Sequence, residues 1–354
     1  VPRASRPAAP GAPFAARLLA WFDEHRRDLP WRRTRDPWAI WVSEIMLQQT
    51  RVEAVREPFA RFLARFPTPA DFAAADDDTL LLAWRGLGYY RRARLLREGA
   101  RAVAQEYGGT VPADPEQLAN LPGIGAYTRG AIASIAFGHA EPAVDGNVER
   151  VYARHAGIAE PIKSATVQRQ LRRLVLQHLD RQRPGDFNQA LMELGATVCT
   201  PTSPRCAACP VQDDCVARAQ DRTAELPNRP APRAAVPVTA RVALVQRGGE
   251  ALGYRIPAGE ANAGQIELPG PGILVACDAA DLAVTIRARF GATLAIGPVL
   301  ATARHAITHH RITVHGHAAA ATRPGTLAWY PRSADTPWTT PSRKLFHAVA
   351  ASDA

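Results

Sequence analysis

Cys199, Cys206, Cys209 and Cys215 are spaced C-x6-C-x2-C-x5-C, and four thiolates so close along a chain can enclose one metal site. Each is a soft ligand, and four together suit either Zn(II) or an iron–sulfur cluster. The stretch Thr200-Pro201-Thr202-Ser203-Pro204-Arg205 and Pro210 are rich in proline and small residues, so the chain can wrap tightly. A disulfide pair is the poorer alternative: no secretory segment is read ahead of the cysteines, and a chain of 354 residues needs no covalent staples. The spacing alone leaves zinc and iron–sulfur open.

Two carboxylates stand in contexts that suit acid–base work. Glu44 lies in Trp41-Val42-Ser43-Glu44-Ile45-Met46, where apolar neighbours would desolvate it and raise its pKa towards that of a proton donor. The plainer alternative makes Ser43 a cap and turns Glu44 to solvent. Asp145, in Ala143-Val144-Asp145-Gly146-Asn147, begins a helix, so N-capping is its plain reading. Brought to one pocket, the two would form the paired carboxylates of glycosidic cleavage. A third stretch, Leu121-Pro122-Gly123-Ile124-Gly125-Ala126-Tyr127, allows a tight turn whose N–H groups converge at a helix start, a phosphate site by geometry. A helix rather than a strand precedes these glycines, which disfavours a dinucleotide fingerprint. A simple helix–turn–helix connector is the alternative.

The elements that must position these residues are mostly helices. Residues 14–24, 38–66, 76–84, 91–107, 115–120, 127–137, 144–156, 165–180 and 186–197 carry helical periodicity, so residues 14–225 read as one helical region. Residues 1–13, rich in Pro, Ala and Arg, read as a disordered tail. Residues 226–237 form a proline-rich linker, semi-rigid by composition. Beyond it, strands are expected at 238–245, 273–276, 293–300, 311–318 and 326–330, with a helix near 280–290, giving a small α/β domain over 238–350. Six of the ten histidines lie there.

The net charge is +10, and arginine supplies nearly all the cations; the only lysines are Lys163 and Lys344. Arginine favours bidentate phosphate contacts, so a polyanionic partner fits, although a GC-rich genome gives the same bias. An enzyme relying on a Schiff-base lysine has few candidates. No apolar run approaches the ~20 residues of a membrane span. The chain reads as soluble and intracellular.

Leu29-Pro30-Trp31-Arg32, residues 43–50, Gly86-Leu87-Gly88-Tyr89-Tyr90, the Leu121-to-Tyr127 hairpin, Val144-Asp145-Gly146-Asn147, residues 188–195 and the cysteine spacing occur in one order. Together they resemble the helix–hairpin–helix iron–sulfur DNA glycosylases, and within them the MutY-type adenine DNA glycosylases, from about residue 14 to 347. The resemblance implies a [4Fe–4S] cluster on Cys199, Cys206, Cys209 and Cys215 in place of zinc. It implies a double-stranded DNA substrate holding A:8-oxoguanine or A:G mispairs, with the adenine flipped out before excision in base excision repair. Glu44 then matches the acid that protonates adenine N7. Asp145 matches the carboxylate that stabilises the oxocarbenium through a covalent intermediate, with Tyr127 and Asn147 as supporting partners. Arg27, Trp31, Leu47, Gln189 and Glu193 fall at positions that shape the adenine pocket, and Arg32 is expected among the substrate- or DNA-binding residues. Gln48, Gln49, Thr50, Leu87, Gly88 and Tyr89 fall beside the lesion, where Gln49, Leu87 and Tyr89 would fill or wedge the base stack. Leu121, Gly123 and Gly125 would meet the DNA backbone through the hairpin, and Arg205 would contact phosphate. The same resemblance implies a cytoplasmic, nucleoid-associated bacterial monomer.

The nearest rival, endonuclease III, carries lysine where this chain has Tyr127, because β-elimination needs an amine. Tyr127, the scarcity of lysine and Glu44 all argue for a monofunctional purine enzyme; a thymine-mismatch glycosylase would lack the pocket glutamate. The C-terminal domain resembles the family's Nudix-like, lesion-reading module. Gln265-Ile266-Glu267-Leu268-Pro269-Gly270 stands where the family has Trp-Glu-Phe-Pro, and Ile307-Thr308-His309 where it has Phe-Ser-His. Thr308 keeps a hydroxyl, so Thr308 and His309 are the expected 8-oxoguanine contacts. The glutamate-rich box of true Nudix hydrolases is absent, so no nucleotide hydrolysis is expected. A silent DNA-docking protein is the remaining alternative, and both carboxylates argue against it.

Overall fold

A computed structural model describes residues 12–231 and 233–352. The tail expected at residues 1–13 lies almost wholly outside the described residues. By compactness the chain divides into two units, Val1–Ala74 with Arg91–Ala231, and Ala75–Tyr90 with Pro232–Ala354. Residues 75–90, read from sequence as part of the helical region, thus group with the second unit. The reason is long-range pairing: Asp78 accepts a bidentate pair from Arg255 at 2.6 and 3.1 Å, and the Arg85 guanidinium donates to the Ala334 carbonyl.

The first unit is helical. Phe14–His25 lays Phe14, Leu18, Leu19 and Phe22 against Gly146–His155, Ala165–His178 and Pro184–Thr197, whose Val148, Val151, Leu171, Phe187 and Leu191 close one core. A second, aromatic cluster joins Trp38, Phe62, Phe66 and Phe72, with Trp38 Nε1 donating to the Phe66 carbonyl at 3.0 Å. The periodicity over 38–66 predicts a single long helical stretch. The structure has two helices, Pro37–Leu47 and Val52–Arg65. Arg92 explains the break: its guanidinium takes the carbonyls of Ile45 at 2.7 Å, Met46 at 3.0 Å and Gln48, and the Thr50 hydroxyl at 3.1 Å. These carbonyls would otherwise be orphaned at a helix end.

In the second unit, β1 (Val236–Leu244) runs parallel to β6 (His310–Arg323), which pairs antiparallel with β5 (Thr293–Ile307) in the order β1-β6-β5. A second sheet centres on β3 (Glu250–Arg255), flanked by β2 (Gln246–Arg247), β4 (Ile266–Glu267) and β7 (Ala328–Pro331). Separate apolar clusters hold Leu345 of the helix Thr340–Ser352 and Ile286 of the helix Leu282–Phe290. The strand expected at 273–276 is a turn, closed by Val275 N–H on the Gly272 carbonyl at 3.0 Å, with Gly272 at φ 113°. β3 and the last helix were not anticipated. No helix among the described residues is long and apolar enough to cross a membrane.

Candidate active site

Glu44 sits on a helix that is buried nearly all round. Asp36 caps it, accepting from Trp38 and Ala39 N–H, and Pro37 fixes its first turn. The solvent-facing alternative for Glu44 is wrong: it is 5% exposed, and Ser43 turns inward to donate to the Ile40 carbonyl at 2.8 Å. Burial pushes the Glu44 carboxyl up to about 7; Tyr127, whose hydroxyl donates to Oε2, opposes this, and nearby Asp145 adds to it.

Asp145 is the N-cap of Gly146–His155. Its Oδ1 accepts from the N–H groups of Asn147 at 2.9 Å and Val148 at 2.8 Å, and its Oδ2 from Asn147 Nδ2 at 2.8 Å. The capping reading therefore holds, and the same carboxylate also lines the pocket that contains Glu44. Burial raises its pKa, while these hydrogen bonds pull the other way. The approach of Pro184–Thr197 depends on Gly195, where a Cβ would stand 2.5 Å from Asn147 Cβ. Asn188 braces the chain leading into Asp145, accepting from Ala143 N–H at 3.1 Å and donating to the Glu141 carbonyl at 2.8 Å.

The pocket has a volume of about 870 Å³. It gathers Arg27, Trp31, Arg32, Leu47, Gln48, Gln49, Thr50, Gly123, Gly125, Tyr127, Asn147, Gln189 and Glu193 around the two carboxylates. Glu193 is held as an anion. Burial alone would raise its pKa, but hydrogen bonds from Arg27 at 2.8 Å and Arg32 at 2.8 Å bring it down to about 2. Trp31 is buried edge-on against Phe59, so it packs the wall as much as it faces the cavity. Leu121 is buried beneath the hairpin and does not line the pocket. Gly123 turns the chain at φ 79° and lies so close to Leu95 that a Cβ would meet it at 3.0 Å.

Leu87, Gly88 and Tyr89 belong to the second unit, with Leu87 buried and Tyr89 47% exposed. Thr308 and His309 form the two-residue turn between β5 and β6. Gln49, Tyr89 and Thr308 share one property: each is a non-glycine residue at positive φ, 56°, 47° and 52°. Asp221 and Asn262 share it at 55° and 65°, so the property is not confined to the residues that the resemblance places against DNA.

The four cysteines surround a separate cavity, together with Arg154, Arg205 and Arg218. Among the described residues no three His, Cys, Asp or Glu side chains converge closely enough to hold a single metal ion. Four soft thiolates around one cavity suit an iron–sulfur cluster. Burial pushes the Cys209 thiol up to about 12, and the neighbouring Cys199, Cys215 and Cys206 add to this, so its thiolate form requires bound positive charge. Arg154 is buried and donates to Cys199 Sγ at 3.4 Å and to the carbonyls of Thr200, Pro201 and Leu226. Arg205, exposed, donates to the Thr197 carbonyl at 2.7 Å. Sequence reasoning missed Arg150, which donates to Asn147 Oδ1 at 2.9 Å, to the Gly195 carbonyl at 2.8 Å and to the Cys199 carbonyl at 2.7 Å. Its position three residues after Asn147 on one helix was the available signal.

Residues 42–177 match the HhH-GPD superfamily base excision DNA repair protein family, and residues 199–215 match the iron-sulfur binding domain of endonuclease III. The adenine DNA glycosylase of Homo sapiens is 50% identical over 214 residues, covering 58% of this chain and 39% of its own length. That of Mycolicibacterium smegmatis is 47% identical over 195 residues, covering 55% of this chain and 66% of its own. The chain thus spans less than half of the human relative. A thermostable thymine-DNA glycosylase structure superposes with TM-score 0.54 and 30% identity, covering 58% of this chain and 95% of that one. A trapped endonuclease III–DNA covalent intermediate shares the fold, with TM-score 0.51 at 24% identity, over 59% of this chain and 94% of its own. The helical unit is therefore an HhH-GPD superfamily base excision repair domain whose four cysteines form an endonuclease III-type [4Fe–4S] segment, and the chain resembles the adenine DNA glycosylases.

Proposed function

We propose that this protein is a monofunctional adenine DNA glycosylase that removes adenine mispaired with 8-oxoguanine or guanine. The observation that carries the reading is Glu44, a buried carboxyl with a pKa near 7, in the same pocket as Asp145. Protonated Glu44 gives its proton to N7 of a flipped adenine, so the C1′–N9 bonding pair leaves with the base. The Asp145 carboxylate, held by Asn147 and Val148, faces the resulting oxocarbenium, and water completes hydrolysis. Tyr127 places a phenol where β-elimination would need an amine, which supports base release without strand cleavage. The name shared by the curated relatives supports adenine over thymine as the base. We assign the reading of 8-oxoguanine to Thr308 and His309 at the β5–β6 turn. Single-turnover base release from duplexes carrying A:8-oxoguanine, A:G, T:G or thymine glycol tests the whole reading. Release of thymine or thymine glycol in preference to adenine would overturn it.

A further inference from the structure

The register of the three-stranded sheet sorts its residues by face. Arg241 pairs with His315 and His315 with Thr302; Thr239 pairs with Thr313 and Thr313 with Arg304; Pro237 pairs with Arg311 and Arg311 with Ala306. Paired residues share a face and alternate residues along a strand share one too, so these nine form a single patch. The intervening rows, including Val238, Ala240, Val242, Ala303, Ile312 and Val314, enter the apolar core on the other side. Further along the patch's own face, Ala319 and Ala321 pack with Ile286 and Phe290 of the helix Leu282–Phe290, so the open part is the end next to the Thr308-His309 turn.

This patch has no carboxylate. Thr302, Arg304 and Arg311 are exposed, and Arg241 is half-buried with an Nε that has no partner. Elsewhere in the unit Arg247, Arg255 and Arg289 are each paired, with Glu250, Asp78 and Glu260. Arg241, Arg304 and Arg311 have no carboxylate partner among the described residues. Three arginines interleaved with threonine hydroxyls and an imidazole form a donor-rich surface without acceptor charge, which suits phosphate oxygens.

We propose that this open sheet face is a phosphate-binding surface that grips duplex DNA beside the Thr308-His309 turn. It rests on the DNA reading above but does not require adenine to be the base removed. Its role is sequence-independent grip, distinct from lesion reading at the turn.

The test is binding of undamaged duplex by the full chain as a function of salt. Each phosphate contact contributes about 0.9 to the slope of log affinity against log salt. Arg241→Gln with Arg304→Gln should therefore flatten the slope by up to about 1.8, equally for undamaged, A:G and A:8-oxoguanine duplexes. The single-turnover rate at saturating protein should not change. Arg287→Gln with Arg323→Gln, exposed arginines outside the patch, should leave the slope nearly intact. An unchanged slope in the first pair, or equal flattening by the second, overturns the proposal. If the base-release assay instead fails to find adenine excision, the salt result still stands, so the two readings fail separately.

Discussion

Arg150 holds the backbone carbonyl of Cys199 at 2.7 Å while the same guanidinium donates to Asn147 Oδ1 at 2.9 Å. One side chain thus ties the first cysteine of the metal loop to the amide that supports Asp145. Arg150→Gln should strand the carbonyls of Cys199 and Gly195 and release Asn147. Both iron content and single-turnover base release should fall, the latter by at least ~10-fold, since misplacing a catalytic group by about 1 Å can cost ~10². Arg150→Lys should not restore them, because an ammonium cannot reproduce the fork. Iron analysis and kinetics on the same preparations check this; full activity with full iron would break the link.

Glu44→Gln keeps the shape and the Tyr127 contact but has no proton to give. Base release should drop by the ~10²–10⁴ typical of lost acid catalysis, with duplex affinity retained. Near-wild-type single-turnover rates would remove Glu44 from that role. In the wild type, release should decline as pH rises through about 7, as the acid loses its proton.

The same residue should mark stability. Its folded pKa, about 7, lies above the reference 4.5, so the folded state binds the proton more tightly. The stability tied to that proton is complete below about 4.5 and lost as pH rises through about 7. The shift corresponds to roughly 3 kcal/mol. Glu44→Gln should therefore be more stable than wild type at pH 8, with the gap closing near pH 4. Denaturant unfolding at the two pH values measures it.

Tyr127→Lys introduces an amine beside Glu44. Borohydride should then trap a covalent adduct with adenine-containing mispaired duplex, well above the wild-type background. No increase would mean that this position does not face the sugar.

Thr308→Ala with His309→Ala should lower the preference for A:8-oxoguanine over A:G, mainly in binding. A base-edge contact is worth about 1–3 kcal/mol. Unchanged discrimination with folding intact would shift the search to Gln49, Leu87 and Tyr89.

What the sequence made legible was chemistry set by near neighbours. The cysteine spacing, the apolar context of Glu44 and the cap at Asp145 can all be read within a few residues. Contacts between distant segments were not legible. Arg92 breaks the stretch at residues 48–51 from more than forty positions away, and Asp78 joins the second unit through Arg255. The β5–β6 turn also escaped local reading: Thr308, a β-branched residue, holds a positive φ that asparagine or glycine usually signals.

Gly195 constrains how this pocket could ever be retuned. With a Cβ there 2.5 Å from Asn147 Cβ, the wall behind Asp145 has no side chain left to exchange. Gln189 and Met192 on the same helix also line the cavity, and there a change of side-chain size meets no such clash with Asn147. A change in the size of this pocket is therefore expected at Gln189 or Met192 before Gly195.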